Sequence, residues 1–327
     1  MIGATNDIFF FFRANKLPFT KEKFLEQFEA KKNETNSKFD FFDCFEEYLT
    51  SGSLIKSYNT IKAQRTVKNY LKTFEEKTGF VITFDKLNDL FYEELMKYSF
   101  YKKEIKNNYF AKIIAVLKSF VRWSIDKNYS SNRDFEKFKG IEHDIDIIYL
   151  TYDELIKLYN HDFENSRLNH VKDFYCMGCF SGLRFSDLSQ LHRANITGTH
   201  INISIQKTKT QNHIISLNKF SKEILNRYRG TIYEPLPKIS QQKFNDYIKE
   251  CCEIIKIDKP TTITWFIGAK KVQNTLPKYQ LITSHTARKT FITNSLLLGM
   301  EPKAIKKIAN IKKDAVLDKY MKITEEY

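Results

Sequence analysis

No stretch of the sequence approaches the roughly 20 consecutive apolar residues that a helix needs to cross a bilayer. The longest near the start runs only from Ile8 to Phe12, so no membrane span is expected. Nor does the amino terminus join a basic segment to a long apolar one; no secretory signal is read, and the chain is expected in the cytosol. The five cysteines, Cys44, Cys176, Cys179, Cys251 and Cys252, are odd in number and unevenly spaced, which offers no disulfide framework. Cys176 and Cys179 form a CxxC without the two further ligands of a zinc site or the preceding strand of a redox site. With Val171, Phe174, Tyr175 and Gly178 they recur at helical spacing and read as buried packing groups. His143, His161, His170, His192, His200 and His213 show no metal spacing, and no internal repeat or low-complexity tract is present beyond Phe9 to Phe12. Neither a metal nor a cofactor is expected.

What the chain does have is size, apolar content and positive charge. Its 327 residues, 42% of them hydrophobic, suffice for two domains with separate cores and exclude intrinsic disorder as the dominant state. A net charge of +14 suits a polyanionic partner, since each Lys or Arg that neutralises a phosphate releases a condensed counterion.

The pattern is mainly α with a small β-sheet. Residues 1–38 are a short leading segment with one amphipathic helix marked by Phe24, Leu25 and Phe28. Residues 39–132 read as an all-helical domain, with one apolar stripe of Val67, Tyr70, Leu71 and Phe74 and another of Phe110, Ile113, Ile114, Leu117 and Val121. Trp123 continues the second stripe. Lys112, Lys118 and Arg122 fall mainly off it, free to meet phosphates. The polar, non-periodic residues 133–149 read as a linker, and 150–327 as a second domain. In that domain Ile201, Ile203 and Ile205, then Ile214, Ile215 and Leu217, suggest a two-stranded hairpin among helices. Trp265 reads as packing.

Three separated strings in the second domain converge on one chemistry. In Ser181-Gly182-Leu183-Arg184-Phe185-Ser186-Asp187-Leu188 a glycine breaks one helix, Ser186 can cap the next, and Arg184 sits in the turn. In Ser284-His285-Thr286-Ala287-Arg288 the His and Arg, three apart, share a helix face and can approach one anion. Near the end, in Val316-Leu317-Asp318-Lys319-Tyr320-Met321-Lys322, a tyrosine closes a short basic helix.

In this order the strings resemble the tyrosine recombinases, or phage-type integrases, most closely those of bacterial conjugative and mobile elements. SGLRFSDLSQL at 181–191 is similar to the first arginine box, and LITSHTARKTFITN at 281–294 to the HxxR box with its lead-in. The resemblance implies a helical, SAM-like core-binding domain followed by an α+β catalytic domain, the two forming a clamp around duplex DNA. It implies Tyr320 as nucleophile, forming a 3′-phosphotyrosyl bond, with Arg184 and Arg288 clamping the phosphate. His285 would hydrogen-bond the phosphate or relay a proton, and Asp187 would orient the first arginine. The general acid is a lysine of the hairpin, Lys207 or Lys209; strand alternation puts both on one face, and position nearer the turn favours Lys209.

Two features depart from the family pattern. Ile311 stands where His or Trp is usual and cannot donate a hydrogen bond, although Asn310 beside it retains a donor. The leading segment 1–38 is short for an intact arm-binding domain and reads as its remnant. The resemblance further implies a homotetramer on two DNA sites, a Holliday-junction intermediate, accessory DNA-bending proteins, no metal, and a bacterial or phage protein associated with the nucleoid. In the family the last helix often docks on a neighbour, for which Ile323 to Tyr327 leaves only a short tail. A type IB topoisomerase-like nicking and closing enzyme uses the same residues. A DNA-binding homologue impaired in catalysis is the reading that Ile311 motivates.

Overall fold

In a computed structural model, which describes residues 9–14, 18–27, 39–205 and 207–324, the helical periodicities become helices and two small sheets are added to them. Phe28 of the expected leading helix and 325–327 of the tail lie outside the described residues; residues 21–27 are helical. The chain divides into two units, one of Met1–Asp144 with Trp265–Val272, the other of Ile145–Thr264 with Gln273–Tyr327. Among the described residues no helix is long and apolar enough to span a membrane.

The first unit is built on α1 (Phe41–Ser53), α2 (Tyr58–Thr78), α3 (Asp89–Lys97) and α4 (Asn107–Asp126). Short polar side chains start three of them: Asp40 accepts from the amides of Phe42 and Asp43, Ser57 from Thr60, and Asn88 from Phe91. Both sequence stripes face one core, in which Val67, Leu71, Phe110, Ile113 and Leu117 are fully buried. Phe45 stacks on Phe120 at 4.2 Å, and Trp123 packs against the same cluster. The residues expected to begin the linker belong to this unit. Phe135 and Phe138 are buried in its core, and a Cβ at Gly140 would lie 2.8 Å from that of Ala111, so the polar text conceals a close backbone approach.

The second unit contains α5 (Tyr152–Asn160), α6 (Ser166–Ser181), the one-turn α7 (Phe185–Leu188), α8 (Lys219–Tyr228) and α9 (Gln241–Ile254), then α10 (Ser284–Leu297), α11 (Pro302–Ile308) and α12 (Asp314–Thr324). The expected hairpin is present as β2 (His200–Ile205) and β3 (Thr210–Ser216), antiparallel with Ile201 opposite Ile215, and β1 (Asn195–Ile196) adds a third strand on β2. Helix α6 is buried on every side from Val171 to Ser181, the pattern of a central helix rather than an amphipathic one. Its Gly178 admits α10: a Cβ there would meet that of Ala287 at 3.0 Å. Cys176 and Cys179 lie in this core with free thiols, which burial pushes well above the ordinary range. A second hairpin, β4 (Pro260–Ile267) and β5 (Lys270–Pro277), was not anticipated from the sequence. Its tip is counted with the first unit, where the Asn107 amide donates to Gly268 O at 2.9 Å and accepts from Gly268 N at 2.7 Å.

Candidate active site

Helix α6 ends in Gly182, whose φ of 68° is left-handed and whose Cβ, if present, would lie 2.6 Å from the Phe291 ring. Only glycine satisfies both conditions. The Gly182 carbonyl accepts a 2.8 Å hydrogen bond from Arg288 Nη1, so the turn that presents Arg184 also anchors the second arginine. Arg184 itself is the residue before α7, with extended backbone, and no side chain caps that helix; Ser186 lies inside the turn rather than capping it as expected. Asp187 is buried, one oxygen 3.9 Å from Arg184 Nη1. Among the described residues, neither its carboxylate nor that Nη1 has a hydrogen-bond partner.

Helix α10 carries the HxxR pair. Thr283 forms a capping box with Thr286, which leaves His285 exposed on the first turn and Arg288 buried one turn on. Helix α11 ends in a Schellman arrangement, in which the amide of Asn310 bonds Lys307 O and that of Ile311 bonds Lys306 O. Asn310 holds the left-handed position, φ 46°, and Ile311 supplies the apolar residue that such a turn buries. Ile311 thereby joins Phe291, Ile305, Leu317 and Tyr320 in one apolar cluster. Tyr320 is 8% exposed.

The electrostatics follow from this crowding of cations. Burial is the main influence on Arg288 and, with the like charge of Arg184, brings its guanidinium down to about 10; Tyr320 and Asp187 oppose the shift. His285 keeps solvent access at its surface, yet partial desolvation of its ring lowers it, helped by Lys289, Arg288, Lys207 and Arg184. Burial raises Tyr320, and Arg288 opposes it. Asp187 is raised by burial against the pull of Arg184. A group of cations sharing one buried carboxylate is a site suited to an anion, and two arginine forks suit the oxygens of a phosphate.

The hairpin lysines are not on a strand face as expected. Both lie in the turn between β2 and β3, and Lys209 has a left-handed φ of 50°. Lys207 is the hairpin lysine among the cations acting on His285. In the first unit Arg122 is held by a bidentate pair with Glu136, at 2.7 and 2.5 Å, and Lys118 donates to Glu136 O at 2.7 Å. Lys112 is exposed, with no ion-pair partner among the described residues. Sequence reasoning gave no role to Lys289, although it adjoins Arg288 in a basic string. It also passed over His213, buried in β3 with Nε2 2.9 Å from Ile308 O; a lone histidine carries no signal of such a contact.

The phage integrase SAM-like domain family matches residues 40–140. A comparison with curated proteins finds no match. Among solved structures, a lambda integrase dimer bound to a COC′ core site superposes with a TM-score of 0.65 at 13% identity, covering 86% of this chain and 95% of that one. The Tn1549 transposon integrase in complex with circular intermediate DNA gives 0.58 at 14% identity, covering 85% and 94%. A lambda integrase tetramer bound to a Holliday junction gives 0.63 at 12% identity, covering 89% and 80%. Residues 40–140 thus carry a phage integrase SAM-like domain, and the chain as a whole is similar in fold to the lambda and Tn1549 integrases.

Proposed function

We propose that the protein is a site-specific DNA recombinase that cleaves and rejoins DNA through a 3′-phosphotyrosyl intermediate. Tyr320 Oη attacks the scissile phosphorus as the bond to O5′ breaks. Arg184 and Arg288 hold the nonbridging oxygens, whose charge grows in the transition state. His285, its ring shifted toward the neutral form, accepts the tyrosine's proton or bonds the phosphate. Lys207 donates a proton to the leaving oxygen. This assigns the general acid to Lys207 in preference to Lys209, because Lys207 acts on His285.

The observation that carries the reading is that the three boxes meet: Arg288 Nη1 bonds the Gly182 carbonyl two residues before Arg184, and Phe291, three residues after Arg288, shares one apolar cluster with Tyr320. By analogy with the lambda integrase tetramer on a Holliday junction, four protomers are proposed to act on two DNA sites. A nicked suicide substrate made from the ends of the encoding element tests the reading. Wild type is expected to give a denaturation-resistant protein–DNA band, and Tyr320→Phe to bind the DNA without one. Specific binding with no band in either protein would favour the catalytically impaired homologue, the reading supported by Ile311 packed beside Tyr320. Relaxation of supercoils by a monomer would favour the nicking and closing enzyme.

A further inference from the structure

The turn between α11 and α12 is fastened to the hairpin between β2 and β3 at three points. Asn310 Nδ2 donates to Thr208 Oγ1 at 2.7 Å and to Thr210 Oγ1 at 3.1 Å, and those two hydroxyls are 2.9 Å apart. Where α11 runs into the turn, His213 Nε2 meets Ile308 O at 2.9 Å. Asn310 is buried, so its amide hydrogens have no water to turn to if the threonines move away. Thr208 lies between Lys207 and Lys209, and two residues after Asn310 the chain enters the approach to α12, which carries Tyr320.

We infer that Asn310 is a positioning residue: it latches the lysine-bearing hairpin to the turn that leads to the nucleophile, so that acid and nucleophile are delivered to one phosphate together. The inference rests on the recombinase reading and adds to it a residue that touches neither DNA nor the reacting atoms. The geometry explains why asparagine stands here. Glycine would satisfy the left-handed φ of 46° equally well, but it has no side chain to reach the two hydroxyls. The reaction step that depends on the latch is loss of the leaving group. As Tyr320 Oη bonds to phosphorus and the P–O5′ bond breaks, the departing alkoxide needs a proton from a lysine held within reach.

Removing the need for that proton tests the latch. In a substrate with sulfur in place of the bridging O5′, the P–S bond breaks and the thiolate leaves without protonation. Single-turnover cleavage of both substrates is measured for wild type, Asn310→Gly, Asn310→Asp and the Thr208→Val, Thr210→Val double variant, with thermal melting confirming the fold. Asn310→Gly keeps the backbone conformation and removes the latch. It is expected to cleave the ordinary substrate about tenfold or more slowly, since general-acid catalysis contributes on the order of 100-fold or more, while cleaving the sulfur substrate within about twofold of wild type. The threonine variant is expected to show the same split, and Asn310→Asp, which can accept from both hydroxyls, to recover most of the loss. Equal loss on both substrates, or no loss on either, overturns the latch. A wild-type protein inert toward both overturns the recombinase reading, and the latch with it.

Discussion

Arg288 combines two tasks that a lysine cannot: one guanidinium nitrogen is spent on the Gly182 carbonyl, and the rest of the fork remains for an anion. Arg288→Lys is therefore expected to fold, yet to cleave nicked substrate on the order of 100-fold more slowly, the scale of losing one preorganised donor. His285 provides a pH signature. Its pKa lies below the ordinary 6.5, and a base acts when neutral, so cleavage at subsaturating DNA should rise with pH along a limb centred below 6.5. His285→Ala should flatten that limb; a limb unchanged by the substitution would exclude His285 as the base. Arg184, Asp187, His285, Arg288 and Tyr320 stand out in the sequence because the chemistry proposed for them depends on residue identity within short strings. The lysine does not, since both candidates satisfy the same spacing and only the charge of Lys207 on His285 separates them.

At the scale of elements, the site depends on the α6 to α7 turn. Gly182→Ala imposes a side chain on a left-handed φ and drives a methyl into the Phe291 ring. A loss of about 3 kcal/mol is expected in urea unfolding, combining backbone strain and overpacking; a loss below about 1 kcal/mol would mean that the turn relaxes easily. Elsewhere, Asn107→Ala should speed hydrogen exchange at the Gly268 amide without altering that of the buried α4 amides, because a single side chain holds both polar groups of that tip. Long helices were legible from periodicity: the stripes of Val67 to Phe74 and of Phe110 to Val121 lie on α2 and α4. The β4 and β5 hairpin was not, because Thr-Ile-Thr-Trp-Phe-Ile lacks the alternation of a half-buried strand. Residues 133–144 were misread because polar text says nothing of the two buried phenylalanines that bind them to the first core.

Across the whole molecule, a net charge of +14 would make affinity for the proposed DNA partner depend steeply on salt, but formal charge overstates what is available. Arg122 is already neutralised by Glu136, whereas Lys112 has no ion-pair partner among the described residues. If the exposed face of α4 meets phosphates, Lys112→Ala should lower the slope of log affinity against log salt by about one, and Arg122→Ala should leave it nearly unchanged. A slope altered equally by both would show that DNA displaces Glu136 from its pair. The measurement that tests the central claim most directly is the identity of the residue that carries DNA. The suicide-substrate adduct, digested with protease and nuclease and sequenced by mass spectrometry, is expected to yield one nucleotide-bearing peptide, modified at Tyr320. Modification at any other residue, or specific binding with no modified peptide at all, would contradict the account.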